Sequence, residues 1–177
     1  MNISHETSGN ALETLRTLLA SNPSGVLETL AAEHAVSTQT VVECLPAAHR
    51  SFAAGSEAER VLLEISAWGS VTVLVHTPDL ILECKGPLPA GRCAHGYYNI
   101  GGGSPLSGHL RLDRCAAIAF VRRPFMGADS CSVNFFNAAG EAMFKVFVGR
   151  DEKRALRADQ LQFFTQLREQ LCGEIAG

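Results

Sequence analysis

The sequence predicts an α+β fold: a small helical N-terminal segment, antiparallel β-sheets flanked by helices, and a long C-terminal helix. Three observations carry this reading. Residues 12–45 repeat leucine and valine at helical spacing. From Val71 to Val148 the period shortens to that of strands, and the connections are turns too short for crossover helices. After Asp151 the helical period returns and runs to about Cys172. Helices, then strands, then a helix is an α+β order. Residues 1–50 are expected to be a helical segment packing on a main antiparallel-sheet domain at 51–177.

Asn10–Ala11–Leu12–Glu13 has the form of a capping box, so the first helix is expected to start at Asn10. Leu12, Leu15, Leu18 and Leu19 form its apolar stripe, and Asn22–Pro23 stops it. A second helix is expected over residues 24–34. Ser37 caps a third, with Val41, Val42 and Leu45 inward and Pro46 at its end. Residues 57–68 read as a fourth helix with Val61, Leu62 and Ile65 on one side.

VTVLVH (71–76) and LILEC (80–84) form a strand pair around Thr77–Pro78–Asp79. Further strands are expected near 95–100, 107–112, 115–122, 131–136 and 142–148. The last two are joined by the turn Asn137–Ala138–Ala139–Gly140. Asp151 is expected to cap the final helix, with Leu156, Phe163, Phe164, Leu167 and Leu171 as its buried stripe and Gly173 just past its end.

The chain has 177 residues, 46% of them hydrophobic and 19% charged, with a formal charge of −3. This is an ordinary soluble composition, long enough for one domain with a real core. It offers no basic footprint for nucleic acid or an anionic membrane. Residues 31–45 have the rhythm of a helix-turn-helix, but the would-be recognition helix at 37–45 carries no Arg or Lys to neutralise phosphates. The first residues show neither a basic n-region nor an apolar h-region, so no signal peptide is expected. No apolar run is long enough to span a bilayer. The six cysteines (44, 84, 93, 115, 131, 172) contain no CxxC, which fits free thiols in a reducing cytoplasm. Cys93 and His95 alone would give zinc only two ligands.

The stretch at residues 86–110 holds the chemistry. Read as a strand, it puts Cys93, His95, Tyr97 and Asn99 on one side and Tyr98 on the other. A phenol and imidazoles set between glycines, where backbone can approach a ligand closely, have the character of a site. The segment at 103–108 has phosphate-loop spacing, but His109 stands where lysine is required. No dinucleotide fingerprint and no GxSxG elbow is present.

Several pieces together carry a resemblance. They are His76 within WGSVTVLVHTPDLILE, HGYYN at 95–99, Ser107–Gly108–His109, RPFMG at 123–127, and NFFNAAGEAMFKVFVGRD at 134–151. In order and spacing they resemble the HutX/ChuX family of cytosolic haem-binding carriers of bacterial haem utilisation. The likeness runs from about Leu12 to Leu171, and the NFFN and GRD pieces also look like larger tandem-repeat haem proteins related to the family. Cys93 departs from it, standing where a histidine is common, and the glycine triplet 101–103 is unusually glycine-rich.

The resemblance implies two antiparallel sheets flanked by helices and a homodimer in which one chain corresponds to half of a tandem protein. It implies a cytoplasmic, non-enzymatic carrier that takes up ferric haem and passes it to a haem-processing enzyme, with no nucleic-acid partner and no membrane insertion. Tyr97 matches the tyrosine that serves as axial ligand to the haem iron. His76 and His109 match haem-associated positions, and His95 could polarise the phenol. Taken without the family, Tyr97 reads as a strand tyrosine hydrogen-bonded at a sheet edge. Each histidine likewise reads as a satisfied structural residue. Arg92, Arg111, Arg122 and Arg123 are all able to pair with propionates. The competing class is a haem-degrading enzyme. Such an enzyme usually keeps a neutral histidine on the iron, and phenolate ligation argues against it.

Overall fold

The computed structural model describes residues 3–101 and 105–173. Gly102, Gly103 and Ser104, which include most of the glycine triplet and the start of the phosphate-loop-like segment, lie outside the described residues. The described chain is α+β, with a six-stranded and a three-stranded antiparallel sheet.

The N-terminal helices are α1 (Ile3–Ser21), α2 (Leu27–Glu33) and α3 (Thr38–Cys44). The capping-box expectation fails. Asn10 sits inside α1, and its carbonyl accepts a bond from the Thr14 hydroxyl at 2.9 Å. Leu15 and Leu19 are buried, whereas Leu18 of the expected stripe is exposed. Helix α2 starts three residues later than expected, because Ser24 donates its N–H to Asn22 Oδ1 and holds the chain in a turn. Ser37 does cap α3, its Oγ accepting the Thr40 N–H at 3.1 Å. The Gln39 N–H bonds Gly140 O at 2.9 Å, which ties α3 to the turn between two later strands.

Strand β1 (Arg50–Ala54) and helix α4 (Ala58–Ser66) precede the hairpin of β2 (Ser70–His76) and β3 (Ile81–Pro87). The small sheet follows as β4 (Gly91–Ala94), β5 (Tyr97–Ile100) and β6 (Gly108–Leu110). Next come β7 (Cys115–Phe125), β8 (Ala128–Asn137) and β9 (Ala142–Phe147), then α5 (Ala158–Cys172). The large sheet has the order β1-β7-β8-β9-β2-β3, so the β2–β3 hairpin is added to the β7–β8–β9 meander.

The two faces of the large sheet carry different loads. On the first, Ile118, Phe120, Val133, Phe135 and Val146 pack with Val61, Leu62 and Ile65 of α4 and Phe164 and Leu167 of α5. On the second, Ala119, Val121 and Phe136 are covered by the leucines and valines of α1, α2 and α3. Side-chain alternation along each strand sorts these sets automatically.

Helix α5 corrects two expectations. It begins at Ala158, because the Asp151 carboxylate accepts the N–H groups of Lys153 and Ala155 and stabilises a loop instead of a helix start. Phe163 of the expected buried stripe is exposed. Gln160 is fully buried instead, bonding Trp68 O and Ser70 O at 2.8 Å and the Gly149 N–H at 2.7 Å.

Candidate functional site

The segment expected to be one strand over 95–100 is a hairpin. His95 (φ 54°) and Gly96 (φ 79°) form the two-residue turn between β4 and β5. Two consecutive left-handed residues match the twist of the flanking strands, and histidine is among the residues that tolerate this conformation. This corrects two assignments, those of His95 and Cys93. His95 is an exposed turn residue and does not share a strand face with Tyr97. Cys93 pairs with Tyr98, so it lies on the face opposite Tyr97, and the Cys93–His95 pairing dissolves. Arg92, which pairs with Asn99, takes the place beside Tyr97.

The hairpin fixes the fates of the two tyrosines. Tyr98 points into the first-face core and is 1% exposed, with burial pushing its hydroxyl above the usual phenol range. Its Oη accepts the Gly91 N–H at 2.9 Å, and Gly91 is needed there because a Cβ would come within 2.6 Å of the Tyr98 ring. Tyr97 points the other way and is 41% exposed.

Strand β6 pairs with β5 so that His109 lies opposite Asn99. The rings of Tyr97 and His109 meet edge to face with centroids 5.9 Å apart, and the Arg111 guanidinium lies 5.5 Å from the Tyr97 ring centroid. Arg111 is held by Asp113, through bonds of 2.8 and 2.6 Å, which raises its pKa further; Tyr97 contributes a smaller push in the same direction. His109 Nδ1 is 2.6 Å from Asn99 Oδ1. One face of the small sheet thus assembles a phenol, an imidazole and two guanidinium side chains.

His76 belongs elsewhere. It ends β2 on the second face of the large sheet, with Nδ1 3.3 Å from Glu28 Oε2. Glu28 also pairs with Lys145, which is 5% exposed and whose ammonium pKa burial pushes down. These groups line a cavity of about 300 Å³ with Leu74, Ile81, Phe125 and Phe147. The small sheet packs Tyr98, Ile100 and Leu110 onto the first-face core. His76 and Tyr97 therefore lie on opposite sides of the large sheet within one chain.

The arginines separate as well. Arg123 is buried, donates to Pro23 O, and has its pKa pushed down to about 10 by burial. Arg122 is paired with Asp129 at 2.8 Å. Arg92 and Arg111 share the face of Tyr97. The roles of Asn99 and of the Glu28–Lys145 pair were not legible in the sequence. Asn99 gave a partial signal in standing two residues from Tyr97, hence on its face. Among the described residues there is no group of three or more His, Cys, Asp or Glu side chains able to hold a metal ion. No described helix is long and apolar enough to cross a membrane.

An exposed phenol on a small sheet, flanked by cations and an imidazole and carried on a helix-covered sheet, defines a ligand-binding α+β protein. Residues 51–167 match the haem utilisation ChuX/HutX family model, and the chain belongs to that family. It is similar to the intracellular heme transport protein HutX of Vibrio cholerae, 37% identical over 154 residues, covering 86% of this chain and 80% of that one. Among solved structures it is similar to a protein from Erwinia carotovora at 48% identity and a TM-score of 0.86, covering 89% of this chain and 98% of that one. It is also similar to the heme-binding protein ChuX at 40% identity and a TM-score of 0.81, covering 88% and 97%.

Proposed function

We propose that the protein is an intracellular haem carrier. It takes up ferric haem with the Tyr97 phenolate as axial ligand, and it passes the haem to a haem-processing enzyme in the cytoplasm. The observation that carries this is the β5–β6 pairing, which gathers Tyr97, His109 and Arg111 on one exposed face. Membership of the haem-utilisation family and the similarity to a heme transport protein support the choice of ligand.

The chemistry follows from the donor. Ferric iron stabilises a phenolate as any strong Lewis acid does, although a free phenol ionises only near pH ~10. Phenolate is a hard donor that prefers ferric to ferrous iron, so reduction favours release, which suits a carrier. The nearby Arg111 and Arg92 are the cations suited to the propionates. His76 and Lys145 sit in a groove on the far side of the large sheet, where a second chain can bring another surface. The carrier works as a homodimer in this reading, the partner chain supplying the apolar walls that the open small sheet lacks.

Absorption spectroscopy with added ferric haem tests the reading. One haem per chain and a high-spin spectrum with a phenolate-to-iron charge-transfer band are expected. Absence of haem binding would overturn it. A carrier also leaves haem intact: with an electron donor, oxygen and catalase, no biliverdin-like product is expected, and stoichiometric product would favour the degrading enzyme.

A further inference from the structure

Strand β6 ends at Leu110, and the Arg114 N–H bonds Arg111 O at 3.0 Å, closing a tight turn over Leu112–Arg114. That turn brings the Asp113 carboxylate against the Arg111 guanidinium. Arg111 Nε–H donates to Asp113 Oδ1 at 2.8 Å and Nη2–H donates to Oδ2 at 2.6 Å, a two-pronged fork. A guanidinium has five N–H donors, so the fork leaves three, on the terminal nitrogens. The Tyr97 hydroxyl is the guanidinium's other hydrogen-bonding side-chain neighbour. The Tyr97 ring centroid lies 5.5 Å from Arg111 Cζ, within reach of a cation–π attraction. Both members of the fork are exposed, where an ion pair contributes little to stability. What the fork does fix is the place of a planar cation on a long, flexible stem.

We propose that Asp113 is a positioning residue that pins Arg111 against Tyr97, and that the pinned guanidinium weakens the phenolate as a donor to ferric haem. The fork itself is a property of the haem-free chain; its use rests on the haem-carrier reading. A cation beside the ring and hydroxyl lowers the energy of the phenolate electrons more than it affects an iron farther away. The oxygen then gives less to the metal, which raises the energy of the charge-transfer band and makes the ferric state easier to reduce. A carrier that releases haem on reduction gains from a ligand tempered in this way. Asp113 also offsets part of the Arg111 charge, so its two effects on the band have opposite signs, and the sign tells them apart.

Arginine side-chain ¹H–¹⁵N relaxation in the haem-free protein tests the fork. The Arg111 Nε–H should be as ordered as the backbone in the native chain and mobile in Asp113→Ala. A mobile Arg111 in the native protein would refute the inference whatever haem does. With ferric haem bound, Arg111→Met should move the charge-transfer band to longer wavelength and the midpoint potential to a more negative value. Arg111→Lys keeps the charge but cannot form the fork, and should behave like Arg111→Met. Asp113→Ala should shift both readings in that same direction. A shift to shorter wavelength in Asp113→Ala would mean that the carboxylate merely offsets charge, and the positioning role would be lost. Unchanged band and potential in folded Arg111→Met would rule out the tempering of the phenolate. If Arg111 is ordered but native protein with ferric haem shows no charge-transfer band, the Tyr97 assignment fails and the tuning role fails with it.

Discussion

Tyr97 and Tyr98 are chemically identical neighbours that the alternation of a strand sends to opposite fates. Tyr97→Phe keeps the ring and removes only the donor oxygen. Ferric haem affinity should fall at least ~10-fold, about 1.4 kcal/mol, with loss of the charge-transfer band and little change in melting temperature. Tyr98→Phe should do the reverse. Its spectrum should be native, but the Gly91 N–H loses its acceptor, costing about 1 kcal/mol in denaturant unfolding. If Tyr97→Phe leaves spectrum and affinity unchanged while His109→Ala or His76→Ala abolishes both, the ligand is a histidine. At this scale the sequence was informative about which face each tyrosine takes, because strand period alone decides it. It was uninformative about His109, since its partner Asn99 lies on the neighbouring strand and only the register joins them. It was misleading about His95, whose place in an alternating pattern hid a turn.

At the scale of elements, the β4–β5 hairpin is the part on which the face depends. Gly91→Ala would push a methyl to 2.6 Å from Asn99 O and the Tyr98 ring. Overpacking of this kind costs about 1–3 kcal/mol, and because both neighbours belong to β5, haem uptake should fall along with stability. A thermal scan paired with a haem titration checks both; a tight-binding, fully stable variant would show that the hairpin has slack. The other informative element is α2. Glu28 is the counter-charge of buried Lys145, so Glu28→Gln should destabilise the fold by about 3 kcal/mol in a urea titration. Element types were readable because apolar periods of two and near four differ plainly. Boundaries were less so, wherever an Asn or Asp side chain could serve a turn as well as a helix cap. Asn10 lies within a helix that begins before it, while Asp151 and Asn22 hold loops ahead of helices that begin after them. The charge pair under α2 was hidden because Glu28 and Lys145 lie far apart in the chain and meet only when α2 packs across β9.

For the whole molecule the decisive feature is how the large sheet is covered. Its first face is closed by α4, α5 and the small sheet, and its second face is closed by α1–α3 over Ala119, Val121 and Phe136 and, through Glu28 of α2, over Lys145. Toward β3 the covering stops. That strand ends the sheet, and on or beside it Leu80, Ile81 and Leu82 are 51%, 61% and 60% exposed; Met126, which shares the lining of the cavity with Ile81, is 83% exposed. Glu83 and Lys85 put charge on the later part of this edge strand, but its apolar start, next to an open cavity, is a surface that a monomer in water normally covers. A second copy related by a two-fold axis would cover it with the same residues. It would also place another surface over the His76 groove, giving a bound haem the walls that one chain lacks. Light scattering at micromolar concentration should give twice the 18.9 kDa chain mass, with and without haem. Ile81→Glu, in the middle of this patch, should shift the mass toward that of one chain without unfolding it. Haem affinity should weaken in the same variant, because the walls leave with the partner. A native mass of 18.9 kDa under both conditions would rule the dimer out, and the haem would then have to be held by the small-sheet face of one chain alone.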